Sequence, residues 1–269
     1  MCDIPRNPRK DLSVDRWLRI LGDLATWSNG RSKLQISGGE PLLYEAIFEL
    51  LEYAVKHNML PGICTNGTLV TEDIARKLMR LGLSNINISL NGTEPIHDRI
   101  RGAGAFRKTD QAIKKLLRER DRLGASTLLI LKTVLMGANA TDIPNMLKYA
   151  SNVGVDGILF QPIENNFESK GYKSDWFRES ALFQSEPQVM DAAIELIAAH
   201  AEKGKIVLNS SEHISSFKDY FRDPSGQARA NRSICNVGFT NLTIYSDGYM
   251  EFCGGHGLGN ADEILPSAA

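Results

Sequence analysis

No stretch of this 269-residue chain approaches the ~20 consecutive apolar residues that a bilayer-spanning helix needs. The first thirty residues hold no apolar core of the kind that marks an export signal. Neither sign of charge dominates, because 31 basic and 32 acidic side chains leave a net charge of −1. Without a basic excess or a charged tail, nucleic acid and membrane surfaces are not expected as partners. Cysteine is scarce. The four present, Cys2, Cys64, Cys235 and Cys253, are scattered through a chain without an export signal and do not suggest a disulfide framework. Low-complexity segments and sequence repeats are missing too. These absences set a cytoplasmic location as the expectation. What is there is an ordinary globular composition, 42% hydrophobic and 23% charged, in a chain long enough for one large domain or somewhat more.

A structural repeat runs through that composition. Short β-rich runs at 33–37 (KLQIS), 62–66 (GICTN), 85–90 (NINISL), 127–135 (TLLILKTVL) and 157–163 (GILFQPI) alternate with helical patterns. Several are nearly continuous in apolar and β-branched residues, as parallel strands covered on both faces are. Between them, Ala46, Ile47, Leu50, Leu51, Ala54 and Val55 form one apolar stripe at helical spacing, and Ile113, Leu116 and Leu117 mark another. Helix starts are signalled at Thr71 and at Thr141-Asp142, and a leading helix spans about 13–28. Alternation with short loops predicts right-handed βα units on a parallel sheet. The leading helix precedes every visible strand. The expected fold is therefore α/β, a partial (βα)6-type TIM barrel lacking its first strand, with a doubly wound sheet as the alternative. KIVLN (205–209) adds a possible further strand, and 241–252 reads as a β-hairpin around Asp247-Gly248. The expected division is a barrel over 1–205 and a small C-terminal extension over 206–269.

Three clusters stand at strand ends, where the loops of a parallel barrel form the active-site rim. Ser37-Gly38-Gly39-Glu40-Pro41 follows the first run, with two glycines that admit a ligand to the backbone and a carboxylate able to accept from a cationic amine. Thr65-Asn66-Gly67 and Ser89-Leu90-Asn91-Gly92 close the next two runs. Each alone is explained by turn chemistry. Three in succession suggest a ligand site. Lys132 interrupts an apolar run, either to meet an anion at the strand end or to snorkel to solvent. His97-Asp98-Arg99-Ile100-Arg101-Gly102 is expected to be a salt-bridged segment ordering a lid, with acid–base work as its alternative. Cys235 and Cys253 flank the hairpin in the pattern C-x12-G-x4-C, which suits a metal or cluster site on a β-ribbon, with a disulfide as the competing reading. Cys64 is expected as a small buried filler, His256 as a solvated loop residue, and Trp176, Phe177 and Phe183 as core before binding surface.

The order GGEP, TNG, SLNG and HDRIRGAGAF on successive βα units resembles the radical S-adenosylmethionine (SAM) enzymes over roughly residues 1–165. Residues 235–260 resemble the opening of the SPASM/twitch module, which carries auxiliary iron–sulfur clusters in one branch of that family. The resemblance implies a [4Fe–4S] cluster, SAM, and an auxiliary iron–sulfur cluster. It implies reductive cleavage of SAM to a 5′-deoxyadenosyl radical that abstracts hydrogen from a peptide or small-molecule substrate. It also implies an electron donor such as flavodoxin or ferredoxin. Gly38, Gly39 and Glu40 are similar to the motif that binds the methionine amine. Ser89 resembles the residue facing the ribose or carboxylate, and Lys132 faces that carboxylate. Thr65, Asn66 and Asn91 complete the implied cofactor-binding set, although the family often has Asp where Asn91 stands. The family's C-x3-C-x2-C loop matches here only through Cys2, as the third ligand of the cluster, and Cys235 and Cys253 match the auxiliary-cluster cysteines. The expectation is that the first two cluster cysteines are encoded upstream of Met1, and that the chain is shortened at one or both ends. The alternative is an inactive SAM-pocket fragment or a binding or scaffold protein. A cluster-free lyase using Lys132 as a Schiff-base nucleophile leaves the paired cysteines without a role.

Overall fold

The structure, a computed structural model, describes residues 11–29, 32–164, 175–204, 206–224, 240–252 and 257–264. Helix α1 (Val14–Ser28) is entered from Ser13 in extended backbone and ends at Asn29, whose left-handed conformation (φ 49°) lets its N–H reach the carbonyls of Ala25 and Thr26. Five strands follow: β1 (Lys33–Ile36), β2 (Leu60–Thr65), β3 (Asn85–Ser89), β4 (Leu128–Leu135) and β5 (Gly157–Pro162). They pair in parallel, in the order of the sequence. The crossovers are made by α2 (Ile47–Lys56), α3 (Glu72–Arg80), α4 (Glu94–Arg101) with α5 (Ala105–Leu123), and α6 (Ile143–Val153). Five parallel strands alternating with helices are what the run-and-stripe pattern predicts.

Strand alternation gives the sheet two unlike faces. Ile63, Ile86, Ile88, Leu129, Leu131, Leu135, Ile158 and Phe160 all point to the helices and are buried with Leu51, Leu78, Ile113, Leu116 and Met146. Side chains of this kind each contribute about 1.5–3 kcal/mol on burial, so this helix-side layer holds the sheet together. The alternate positions, Gln35, Gly62, Cys64, Asn85, Asn87, Ser89, Ile130, Lys132, Leu159 and Gln161, form the concave face, and several of them are half-buried or exposed. Cys64 is consequently half-buried on that open face and is not the buried filler expected of it, because β2 sends Ile63 and Thr65 to the helices.

The segment expected as one more strand makes a single parallel bridge, Val207 to Ile158, supported by hydrogen bonds from Ile158 N to Ile206 O (2.8 Å) and from Leu208 N to Ile158 O (3.0 Å). Beyond β5 come α7 (Trp176–Glu179), α8 (Pro187–Glu202), α9 (Ser211–Ser215) and α10 (Phe217–Arg222). Ile206, Val207, Ile214 and Phe217 share the main core with the sheet, so a boundary between 205 and 206 would cut through one packed layer. Phe183 sits amid Trp176, Phe177 and Phe221, with ring centroids 5.3–5.7 Å away, in a half-buried aromatic cluster.

The hairpin is present. β6 (Thr243–Ile244) and β7 (Tyr249–Glu251) pair antiparallel across a turn closed by Gly248 N donating to Tyr245 O (2.9 Å), with Gly248 at φ 86°. A third strand, β8 (Gly257–Asn260), extends it and runs into α11 (Ala261–Ile264). This small sheet packs on α1 through Leu12, Ile20, Met250 and Ala261. Among the described residues, no helix is long and apolar enough to cross a membrane.

Candidate functional site

The carboxyl ends of β1, β2 and β3 lie side by side, and the loops leaving them build one rim. At the first, Gly38 adopts φ 151°, and neither Gly38 nor Gly39 has an atom within 4 Å of where a Cβ would stand. The backbone there is open to a ligand. Glu40 closes the loop. Its carboxylate accepts from Leu42 N (3.2 Å), from Thr65 Oγ1 (2.7 Å) and from Asn66 N (2.8 Å), and so ties the end of β1 to the end of β2.

That bonding changes the standing of two predicted site residues. Thr65 is buried, donates to Glu40 and accepts from Gly67 N (3.0 Å), so it orients the carboxylate from behind. Asn66 turns its Oδ1 to Thr68 N (2.8 Å) and Thr68 Oγ1 (2.6 Å), an Asx-turn that shapes the loop. Asn91 is the most enclosed residue of the predicted set. It is fully buried; its Oδ1 accepts from Val134 N (3.1 Å), its N–H donates to His97 Nδ1 (3.0 Å), and its carbonyl accepts from Asn139 Nδ2 (2.8 Å). The side-chain oxygen and the backbone of Asn91 thus hold the end of β3 to β4 and to α4.

Ser89 and Lys132 are cross-strand partners in the β3–β4 register, on the concave face. Both are half-buried. Among the described residues no carboxylate pairs with Lys132, and no side chain bonds Ser89. A half-buried ammonium without a counter-ion beside a free hydroxyl is a ready receptor for an anionic group.

The segment 97–102 is helical and carries no acid–base centre. His97 is 1% exposed on α4, and burial, reinforced by Arg101 and opposed by Asp98, lowers its pKa to about 4. It is neutral at physiological pH, with Nδ1 committed to Asn91 as an acceptor. Among the described residues Asp98 makes no salt bridge. Its carboxylate accepts from Gly104 N (2.6 Å) and Phe106 N (2.7 Å), capping α5 from one helix upstream, and those backbone donors, Phe106 first, hold its pKa below the usual carboxylate range. Arg99 donates to Ala138 O (2.8 Å). The segment is a brace beneath the rim.

Three groups support the site in roles that the sequence analysis does not assign them. Asn139, fully buried, bridges Asn91 and Val134 and accepts from Met136 N. Asp142 holds Thr93 at the start of α4. Gln35, Asn85 and Asn87 line the concave face below the rim. For the last set a signal existed: NINIS alternates polar and apolar with a period of two. Cys2, Cys235, Cys253 and His256 lie outside the described residues. Among the described residues there is no group of three or more His, Cys, Asp or Glu that could hold a metal ion.

Comparison with known proteins now places this geometry. Residues 1–159, more than half of the chain, match the model of the Radical SAM superfamily. The Fe-coproporphyrin III synthase of Methanosarcina barkeri is 28% identical over 72% of this chain and 46% of its own length. The PqqA peptide cyclase of Granulibacter bethesdensis is 29% identical over 54% of this chain and 37% of its own. This chain thus spans less than half of either relative. Among solved structures, Streptococcus suis SuiB bound to the precursor peptide SuiA matches with a TM-score of 0.67 at 16% identity, over 97% of this chain and 58% of that one. The same protein has also been solved bound to S-adenosylmethionine. At that identity the likeness is one of fold.

Proposed function

The chain belongs to the radical SAM superfamily, and from that premise we propose that it is an iron–sulfur oxidoreductase acting on a peptide or small-molecule substrate. The observation that carries the reading is the rim itself. The open Gly38-Gly39 backbone, the Glu40 carboxylate and Ser89 stand at adjoining strand ends, with Lys132 of β4 beside Ser89 in register and, among the described residues, without a carboxylate partner. That donor and acceptor set fits SAM, an ammonium and a carboxylate joined to a nucleoside. In this proposal the Gly38–Glu40 backbone and carboxylate receive the amine, Lys132 the carboxylate, and Ser89 the ribose or carboxylate oxygens. Thr65 and Asn66 fix Glu40, and Asn91, Asn139 and His97 fix the loop that presents Ser89.

Cys2 is proposed as a thiolate ligand of the [4Fe–4S] cluster, and Cys235 with Cys253 as ligands of an auxiliary cluster. With cluster and SAM bound, the chemistry supplied is one-electron reductive cleavage of SAM, which yields a radical able to take a hydrogen atom from substrate. The protein's own part is to hold the reactants on the concave face and keep their geometry fixed. The electron comes, in this proposal, from a flavodoxin- or ferredoxin-type donor, and the protein works in the cytoplasm. Support for a peptide substrate comes from the relatives, one named a peptide cyclase and one solved with a precursor peptide. The packing also supports a revised division, with the barrel unit running through about residue 224 and the small sheet after it.

Anaerobic reconstitution of the full-length gene product with iron and sulfide, then reduction with dithionite in the presence of SAM, tests the reading. The expected result is 5′-deoxyadenosine on chromatography, reduced at least about tenfold by Lys132→Met, the scale of one charge-assisted hydrogen bond. A reconstituted protein that leaves SAM intact overturns it.

A further inference from the structure

The concave face below the rim has a chemistry that the SAM site does not use. A TIM-type barrel normally fills this space with branched apolar side chains stacked in layers. Here β1, β2 and β3 present Gln35, Gly62, Cys64, Asn85 and Asn87 instead, at register positions that bring them together: Gln35 beside Gly62, Gly62 beside Asn85, and Cys64 beside Asn87.

The arrangement is built. Asn85 lies across β2, so that a Cβ on Gly62 would come within 2.5–2.9 Å of its side-chain atoms. Only glycine lets that amide cross to the next strand but one. There its Nδ2 donates to Gln35 Oε1 (3.0 Å), and Asn87 Nδ2 donates to the same oxygen (3.1 Å). Ser84 Oγ donates to Asn85 Oδ1 (2.9 Å) and fixes its orientation. Two donors on one carbonyl pin Gln35 and leave its Nε2 hydrogens to the open side, where the residue is exposed. Asn87 is 8% exposed, and its Oδ1 is buried with no hydrogen-bond partner among the described residues. It projects to the concave face, because Ile86 and Ile88 on either side of it are buried among the helices. Asn87 Nδ2 is taken by Gln35 Oε1, so Oδ1 is the atom of that amide left for a ligand.

We propose that this floor is an amide-recognition subsite: Asn87 Oδ1 accepts a ligand N–H, Gln35 Nε2 donates to the ligand carbonyl, and the half-buried Cys64 lies beside them. The chemical class it takes is a carboxamide, as in a peptide backbone or an Asn or Gln side chain. It rests on the reading of the concave face as the substrate chamber and narrows the substrate to the peptide class. A purely apolar substrate would leave the Asn87 oxygen without a partner and is disfavoured for that reason.

Cys64 provides a test that needs neither cluster nor SAM. The full chain is alkylated with 2-chloroacetamide and, separately, with N,N-dimethyl-2-chloroacetamide. In each case the Cys64 thiolate forms an S–C bond as the C–Cl bond breaks and chloride leaves. The two probes share a carbonyl, and only the first has N–H groups. Rates at Cys64 are read by peptide mass mapping, and their ratio is divided by the ratio for free glutathione. The expected normalised preference for the N–H probe is about fivefold, the scale of one neutral hydrogen bond. It should fall to about one in Asn87→Leu, which keeps the volume and removes the acceptor; Gln35→Leu, at an exposed position, removes a donor to the carbonyl that both probes share and should lower both glutathione-normalised rates while leaving their ratio unchanged. A wild-type ratio equal to that of glutathione overturns the subsite, as does a preference that survives Asn87→Leu in a protein with unchanged thermal unfolding. If Asn87→Leu does not fold, the wild-type ratio and the Gln35→Leu rates decide, and Gln35→Leu rates equal to wild type for both probes overturn the subsite. None of these outcomes bears on SAM binding at the rim, so failure of the floor and failure of the proposed activity are read separately.

Discussion

Replacing Glu40 by Gln turns one acceptor of a carboxylate that receives three hydrogen bonds into a donor, and sets it against Leu42 N and Thr65 Oγ1 or against Asn66 N. Stability should fall by about 1–2 kcal/mol in urea unfolding, and SAM affinity should fall about tenfold as the loop between β1 and β2 loses its staple. His97 makes a second prediction, in pH. Its folded-state pKa of about 4 lies below the ordinary 6.5, so the unfolded chain takes up the proton first as pH falls. Its contribution is therefore complete above pH 6.5 and is lost as pH falls towards 4, by at most about 3 kcal/mol. Chemical unfolding at pH 7 and pH 5 should show a larger loss for wild type than for His97→Gln, which keeps an acceptor for Asn91 and does not titrate. Equal losses would mean that His97 is protonated in the fold. At this scale the sequence shows residue types and leaves their partners hidden. Ser37-Gly38-Gly39-Glu40 advertises a site, yet nothing local reveals that Thr65, 25 positions on, is spent on Glu40, or that Asn91 is sealed under Asn139.

Elements were the most legible level. The runs at 33–37, 62–66, 85–90, 127–135 and 157–163 differ from β1–β5 by no more than about two residues at either end, because apolar spacing and strand-end glycines are properties of the segment itself. Two elements escaped for physical reasons. β8 reads GLGN, with too little side chain to signal a strand, and exists by pairing with β7. The segment 97–102, with its charged residues, reads as a salt-bridged lid segment, yet 97–101 belong to α4; Asp98 caps the following helix through Gly104 and Phe106 at its start. Gly137 links two elements more tightly than its local sequence suggests. A Cβ there would sit 2.0 Å from the Gln184 carbonyl oxygen and 2.6 Å from that of Phe183, both backbone atoms that cannot swing aside. Gly137→Ala should cost about 2 kcal/mol or more, seen as a lower calorimetric Tm, because the segment carrying Phe183 must move off the 3-10 turn at Gly137–Asp142. An unchanged Tm would show that the two segments are not in contact.

On the scale of the whole molecule, one sheet separates two environments. Its helix face is closed and apolar and supplies the cohesion; its concave face is polar, partly open and continuous with the strand-end rim. The parallel sheet could be read from alternation alone, whereas the polarity of its inner face needed the register, which sets Ser89 beside Lys132 and Cys64 beside Asn87. Register is a long-range property, decided by which strands pair. The segment 206–217 shows the same limit: it carries many polar residues, yet Ile206, Val207, Ile214 and Phe217 join the main core. The small sheet packs back on α1, so the first and last described elements are neighbours. The central claim, that Gly38–Glu40, Ser89 and Lys132 form one SAM receptor, is tested most directly by equilibrium titration of SAM into the anaerobically reconstituted protein and into Gly39→Val and Lys132→Met. Saturable binding by wild type, about tenfold weaker binding by Lys132→Met and none by Gly39→Val is the predicted result. Equal binding by wild type and Gly39→Val would contradict it.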